Sequence, residues 1–336
     1  MQHFDILRRA WEKTWRYRAL WIFGLLVALT AGGGGSGGGG WSGGRHPGGP
    51  PQFFRGGGFD LPEPLVGFLV AFVGVLLILF ILFAVVFALL GTVARYVGDS
   101  ALMQLVDREE AEGTRPTLAA GFRLGWSSAT LRLFVVDLVV GVPVVVMALV
   151  LILLAGAPLL LWLTRDVATG VTGTVLAVLL FVLVVLFLLF IGMVVGLFRP
   201  FYQRRSVLGG RGAFAAIGEG VTLVIRHFGD VLLMWLIMFF VNLFAQLLLV
   251  ILALLLVLVV LLIFGLPALG MGWMLSALFD TYVGYGLAFL GTIPWIFTLV
   301  LLPSLLARAI FETFKSTVWT LTYRELVGRE QALQEG

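Results

Sequence analysis

The chain has no cysteine among its 336 residues. That absence excludes disulfides, thiolate metal sites and cysteine nucleophiles together. Charge is also scarce: 12% of the residues are Asp, Glu, Lys or Arg, against about 25% in a soluble domain. Histidine occurs only as His3, His46 and His227. They lie in separate segments, and none stands with a carboxylate and a second histidine at ligand spacing. No paired carboxylates and no nucleophile with its base fall at one depth of the chain. The sequence therefore reads as non-enzymatic, with no catalytic residue, metal ligand or cofactor.

What is present is apolar. Hydrophobic residues make up 60% of the chain and the mean hydropathy is +1.08. A soluble fold of this length needs a polar exterior that this composition does not supply, so the solvent is largely lipid. The net charge of +4 and the pI near 9.8 fit basic loops on the cytoplasmic side of a membrane better than nucleic-acid binding. The basic N-terminus followed by Leu20–Leu29 imitates a signal peptide. Ala31, however, leads into glycines rather than a small-x-small cleavage site, so this segment is read as retained.

A bilayer-crossing helix needs about 20 apolar residues. Long apolar runs occupy Leu65–Leu90, Leu131–Leu163, Val171–Phe198, Val231–Phe279 and Tyr285–Ile310. A shorter run, Ala19–Ala31, is completed in this reading by the aromatic stretch before it, Trp15, Tyr17 and Trp21, whose rings favour the headgroup level. The Val231–Phe279 run would reach roughly 70 Å as one helix. Proline clashes with its preceding turn, so a break is expected at Leu266-Pro267. The run is read as one span to Phe264 and a short irregular segment over Gly265–Phe279, with two spans as the alternative.

The basic residues orient these spans. Five lie in the N-terminal segment (Arg8, Arg9, Lys13, Arg16, Arg18) and five between the second and third spans (Arg95, Arg108, Arg115, Arg123, Arg132). Five more precede the fifth span (Arg199, Arg204, Arg205, Arg211, Arg226), and four lie in the C-terminal segment (Arg308, Lys315, Arg324, Arg329). The other connections hold only Arg45, Arg55 and Arg165. Six spans with both termini in the cytoplasm put nineteen cations inside and three outside, as the positive-inside rule requires. The expected address is a bacterial inner membrane.

The expected architecture is all-α: a single membrane domain over 1–336 with six transmembrane helices in three hairpins. Each hairpin is preceded by an amphipathic cytoplasmic helix, placed in segments 1–18, 98–130 and 199–229. A glycine-rich extracytoplasmic loop covers 32–58 and a cytoplasmic tail covers 312–336. The three basic segments share a layout: Phe4 to Arg18, Leu118 to Arg132 and Phe214 to Arg226-His227-Phe228-Gly229-Asp230 each form a half-polar stretch that carries a basic residue where an apolar run begins. In the first, Phe4, Leu7, Trp11 and Trp15 recur at helical spacing and are expected to form one apolar face.

Three passages carry a resemblance. They are Phe4…Ala10-Trp11…Trp15-Arg16…Leu20-Trp21-Ile22-Phe23-Gly24, then Ala215-Ala216-Ile217…Arg226-His227-Phe228-Gly229-Asp230-Val231-Leu232, and Phe314…Val318-Trp319-Thr320-Leu321-Thr322-Tyr323-Arg324-Glu325-Leu326. Together they make the chain similar to bacterial polytopic membrane proteins such as the membrane domain attached to some glycerophosphoryl diester phosphodiesterases and related domains of unknown function. The resemblance implies a helical membrane domain and no activity. The phosphodiesterase domain itself, with its carboxylates and histidines around a metal, has no counterpart here.

Few other features carry chemistry. Gly32–Gly40 lacks the Gly-Lys-Ser/Thr ending of a phosphate loop and reads as a flexible connection. Asp137 is the main ionisable residue within an apolar run, and such a carboxylate is a candidate ion or proton site or a structural ion pair with a cytoplasmic-end arginine. Asn242 and Gln246 share one helical face and are candidates for hydrogen bonds between helices. Gly192 and Gly196 form a Gly-x-x-x-Gly pattern suited to close packing, within the chain or in a homo-oligomer. Candidate contacts to anionic headgroups are Arg8, Arg9, Lys13, Arg16, Arg18, Arg123, Arg132, Arg204, Arg205 and Arg226. The expected function is a membrane scaffold or lipid- and partner-interaction domain. The alternative is a transporter or channel for a small solute or lipid that uses Asp137.

Overall fold

A computed structural model describes residues 2–31, 63–164, 166–278 and 281–335. The glycine-rich loop 32–58, with Arg45, His46 and Arg55, lies outside the described residues, as does Arg165. The described residues are helical, with no strand among them. The helices are α1 (His3–Arg16), α2 (Ala19–Ala31), α3 (Glu63–Glu112), α4 (Leu118–Gly125), α5 (Ser128–Gly156) and α6 (Val167–Val207), followed by α7 (Ala213–Arg226), α8 (Phe228–Val260), α9 (Leu266–Leu275), α10 (Thr281–Leu290), α11 (Ile293–Ile296) and α12 (Leu302–Glu335).

Five helical stretches are long and apolar enough to cross a membrane: Ala71–Glu112, Ser128–Thr164, Val167–Val207, Phe228–Leu275 and Thr281–Ala332. Each has 37 to 52 residues, or roughly 55–78 Å of helix, while a bilayer core is about 30 Å thick. Each stretch is therefore longer than the hydrocarbon it could cross. Their apolar windows bury almost nothing against protein, as suits surfaces solvated by lipid tails. The tight packing is found in the overshooting ends.

Two compact units divide the chain: Leu29–Arg95, and Met1–Ala28 with Tyr96–Gly336. In the first, side chains from Phe72 to Val93 are largely exposed, and Gly91 faces Thr30 at ordinary contact distance. The second holds a helical head built from three span ends: 96–112 of α3, 197–207 of α6 and 309–335 of α12. Each end carries one short helix. On the α3 end lies α4, where a Cβ on Gly125 would come within 2.8 Å of the Val97 carbonyl. On the α6 end lies α7, where a Cβ on Gly220 would meet the Tyr202 backbone at 2.8 Å. On the α12 end lies α1, with the Trp11 and Phe314 rings 5.9 Å apart. Each short helix thus packs on the span end that precedes it in sequence, and α1 closes the cycle on the last one.

The head core joins these pieces. Ile6 and Ala10 of α1, Phe201 of α6, Val224 of α7, Val231 and Met234 of α8 and Val318 and Leu326 of α12 form one buried cluster. A second cluster joins Leu20, Phe23 and Val27 of α2 to Leu102, Leu105 and Val106 of α3 and Leu124 of α4. Burying a large apolar side chain of this kind stabilises by about 1.5–3 kcal/mol where water is the alternative solvent. The α2 helix crosses α12 at Gly24, where any Cβ would stand 2.3 Å from the Ala309 carbonyl oxygen. Left-handed glycines stop the chain after two of the extensions, Gly113 at φ 66° after α3 and Gly210 at φ 65° after α6.

Several expectations are corrected. The Leu266-Pro267 step does not break the chain into an irregular segment: helix continues to Leu275. A π-helical turn, Leu261–Gly265, precedes it. Its wider winding makes room for the proline ring against the carbonyl four residues back. A second π-turn, Phe297–Leu301, precedes Pro303 in the same way. The α9 and α10 helices form an antiparallel hairpin, tight at Gly272 against Tyr285 and at Gly284 against Ser276. Helix α2 is not lengthened by the aromatic stretch before it, because α1 ends at Arg16 and the chain turns at Tyr17-Arg18. The indole N–H of Trp21 donates to the Thr14 carbonyl at 2.7 Å and fixes this corner.

The buried face of α1 also differs from the expected one. His3, Ile6, Ala10 and Thr14 point into the head, whereas Phe4, Trp11 and Trp15 stay exposed at 79%, 53% and 47%. Two stripes one residue apart thus share the helix: small and aliphatic side chains inward, aromatic ones outward. The segment 312–335 is no loose tail, since α12 runs through it with Thr313, Thr317, Val318, Thr320, Leu321 and Leu326 buried.

Candidate functional site

Polar chemistry gathers where the spans pass into the head. Asp137 sits in the third turn of α5, directly after the fully buried Val136 and one turn past the fully buried Leu133. Its side chain is 7% exposed. Arg199 of α6 donates to one carboxylate oxygen at 2.6 Å and Gln203 of α6 to the other at 2.8 Å. The Tyr96 hydroxyl of α3 reaches the first oxygen at 3.3 Å, with its ring edge-on to Phe134 at 5.4 Å. The spacing 199/203 places both donors on one face of α6. One carboxylate thereby ties together three helices that are distant in sequence.

One turn further along α6, Arg204 is 3% exposed. Its guanidinium donates to the Thr320 hydroxyl at 3.1 Å, the Ser316 carbonyl at 2.9 Å and the Pro200 carbonyl at 2.9 Å. Arg204 was expected to face lipid headgroups. Instead it is a buried strut between α6 and α12, because the phenyl ring of Phe201 beside it packs on Trp319 at 5.8 Å and draws that face of α6 inward. Buried threonines of α12 also bond back to the preceding turn, as Thr317 does to the Thr313 carbonyl at 2.8 Å.

Ion pairs lace the rest of the head. Lys13 lies against Glu109 and Glu110, and Arg9 is 3.4 Å from Glu110. Arg324 holds Asp107 at 3.0 Å, and Arg329 holds Asp230 at 3.2 Å. Arg205 pairs with Glu219, and Arg226 with Glu330 at 3.4 Å. Among the described residues Arg8 pairs within its own helix, with Glu12 at 3.0 Å. Arg16, Arg18 and Arg123 are exposed and Arg132 is half-buried.

Other sequence candidates stand apart. Asn242 is half-buried and Gln246 exposed on α8, and neither is among the donors to Asp137. A Cβ on Gly192 or Gly196 would meet nothing within 4 Å, so that face of α6 is open. His3 is buried and bonds the Asp230 carbonyl at 3.3 Å, and His227 caps α7. Among the described residues no three His, Asp or Glu side chains lie close enough to share a metal ion.

At the other end of the spans, Asp166 caps α6, accepting from the Thr169 amide at 2.9 Å and from its hydroxyl. These two bonds hold its carboxyl below the usual aspartate range.

Sequence reading expected an arginine beside Asp137 without singling out Arg199, and it missed Tyr96, Gln203 and the α12 threonines. The signal for the last was present in Thr313, Thr317 and Thr320, a small polar stripe at helical spacing.

Comparison with known sequences gives one family. The profile of the family of unknown function DUF7544 matches residues 1–322, and the chain belongs to that family. Neither the curated proteins nor the solved structures contain a match.

Proposed function

We propose that this DUF7544 member is a non-catalytic multi-pass scaffold of a bacterial inner membrane, with six crossings and with its head and both termini on the cytoplasmic side. The observation that carries the reading is a parity argument. Lys13 of α1 contacts Glu109 and Glu110 at the end of α3, so both lie on one side of the bilayer. The chain between them then crosses an even number of times. Its apolar helices are α2 and the apolar part of α3, which favours a crossing by each. The same logic supports the other two pairs. Asp137 near the start of α5 bonds Arg199 near the end of α6, and Val231 of α8 shares a core with Phe314 of α12. At 13 residues, α2 reaches only about 20 Å, so its crossing calls for local thinning of the bilayer. The positive-inside rule then places the head in the cytoplasm.

The competing reading, a transporter or channel using Asp137, meets a carboxylate already engaged by three donors from α3 and α6. That favours a joint between helices over a site that must bind and release an ion. Likeness to the phosphodiesterase-associated membrane domain remains a resemblance of layout and adds no activity.

The natural absence of cysteine makes the test direct. Single cysteines at Glu12→Cys, Gly113→Cys, Gly210→Cys and Gly328→Cys should resist an impermeant maleimide applied to intact cells, and Thr164→Cys and Leu278→Cys should react. Opposite behaviour of Glu12→Cys and Gly113→Cys would end the six-crossing reading.

A further inference from the structure

The cations of the head fall into two groups by position. One group has partners within the protein: Lys13, Arg9, Arg205, Arg324 and Arg329 each stand within salt-bridge reach of at least one carboxylate, and the buried Arg204 is held by Thr320, Ser316 and Pro200 instead. Arg16, Arg18, Arg123, Arg132 and Arg308 have no carboxylate within 4 Å among the described residues. All five lie where an apolar run meets the head. Arg16 and Arg18 immediately precede α2, Arg123 and Arg132 flank the start of α5, and Arg308 ends the apolar part of α12.

Two further observations mark the same level. Exposed aromatic rings accompany these arginines: Trp15 beside Arg16, Phe122 beside Arg123, and Trp126 between Arg123 and Arg132 at 72% exposure. Tryptophan with arginine is the pairing that membrane–water interfaces favour. The Nε of Arg132 is also shut off from solvent and has no acceptor among the described residues. A buried guanidinium N–H without an acceptor is costly. Seven carboxylates of the head, Glu109, Glu110, Asp107, Glu219, Asp230, Glu325 and Glu330, pair with other cations.

We propose that Arg16, Arg18, Arg123, Arg132 and Arg308 form a belt that binds the phosphates of anionic phospholipids in the leaflet facing the head. Guanidinium pairs with phosphate through parallel N–H bonds, and juxtamembrane cations are attracted by an anionic surface. The belt rests on the scaffold reading for its side of the membrane, but the binding does not depend on which leaflet that is. Arg108 and Arg115 also lack carboxylates, yet Arg108 stands 18 residues past Leu90 on α3, about 27 Å along the helix and beyond the headgroups.

Full-length protein in nanodiscs of equimolar phosphatidylglycerol and phosphatidylcholine, with retained lipid counted by native mass spectrometry, tests the belt. Wild type should retain phosphatidylglycerol preferentially. The triple variant Arg16→Gln/Arg18→Gln/Arg123→Gln should reduce that preference on the order of tenfold, with the thermal midpoint unchanged. The corresponding triple lysine variant should keep most of it, and Arg108→Gln/Arg115→Gln should keep all of it. Equal retention of both lipids by wild type, or an equal loss on removing Arg108 and Arg115, overturns the proposal. Displacement of the lipid by inorganic phosphate overturns the lipid assignment. Cysteine labelling tests the scaffold orientation separately, so either reading can fail alone.

Discussion

Replacing Asp137 with leucine removes the acceptor shared by Arg199, Gln203 and Tyr96 and leaves a cation facing an apolar wall. Deleting one partner of a buried ion pair costs about 3–5 kcal/mol in soluble proteins. Two features reduce that figure here. Arg199 is 39% exposed, so its long stem allows the charge to swing outward. Polar contacts between membrane helices average only about 0.6 kcal/mol and reach about 1.7. Three donors lost at once, at a site between these limits, give an expected loss of about 2–3 kcal/mol. In a chain of 336 residues that is a fall in thermal midpoint on the order of 3–4 °C. The ten tryptophans provide the signal, read as intrinsic fluorescence during heating in detergent micelles. Asp137→Asn, which keeps an acceptor oxygen but loses the charge, should fall between. The double variant Asp137→Leu/Arg199→Leu should recover at least half of the loss, because it removes the stranded cation. A single leucine variant that melts within about a degree of wild type would refute the view of Asp137 as a joint.

Other outcomes follow from the same contacts. Gly24→Val should destabilise by at least about 1–3 kcal/mol, because its Cβ meets the Ala309 carbonyl oxygen at 2.3 Å, whereas Gly192→Val, facing open space, should leave the melting curve in place. Arg204→Lys should fail to rescue the loss caused by Arg204→Ala, since one ammonium cannot span Thr320, Ser316 and Pro200 as a planar fork does; both variants are read by the same melt. Asp166 has a lowered folded pKa, so its cap is in place above the unfolded aspartate value of about 3.9 and is lost as pH falls through the lower folded value. Amide exchange at Thr169, corrected for its intrinsic pH dependence, should accelerate over that acid range in wild type and not in Asp166→Asn.

Apolar run length made the spans legible in the sequence, and the basic segments before them appeared as separate helices, α1, α4 and α7. Less legible was which face each short helix would bury. In α1 the aromatic stripe at 4, 7, 11 and 15 is the more hydrophobic to the eye, yet the core takes 3, 6, 10 and 14. Packing between close helices selects small and aliphatic side chains, and tryptophan is left at the boundary. The fate of Arg204 was hidden for a related reason. Read in isolation, Arg204-Arg205 is a basic pair at a span end, and only the tertiary partners on α12, more than a hundred residues away, show that one member is internal. The behaviour of Pro267 was misread because sequence rules assume an α-helical turn before proline, and the π-turn relaxes the clash on which the rule rests.

The packing of α1 onto α12 bears on the order of assembly. The ribosome delivers α1 before α12, and the helices between them are made in the interval. Until α12 arrives, the Ile6 and Ala10 face lacks the Val318 and Leu326 side of its core, and the outward Trp11 and Trp15 offer the helix a resting place at the lipid surface. The head therefore cannot close while α12 is still being made, and its core is among the last contacts of this chain to form.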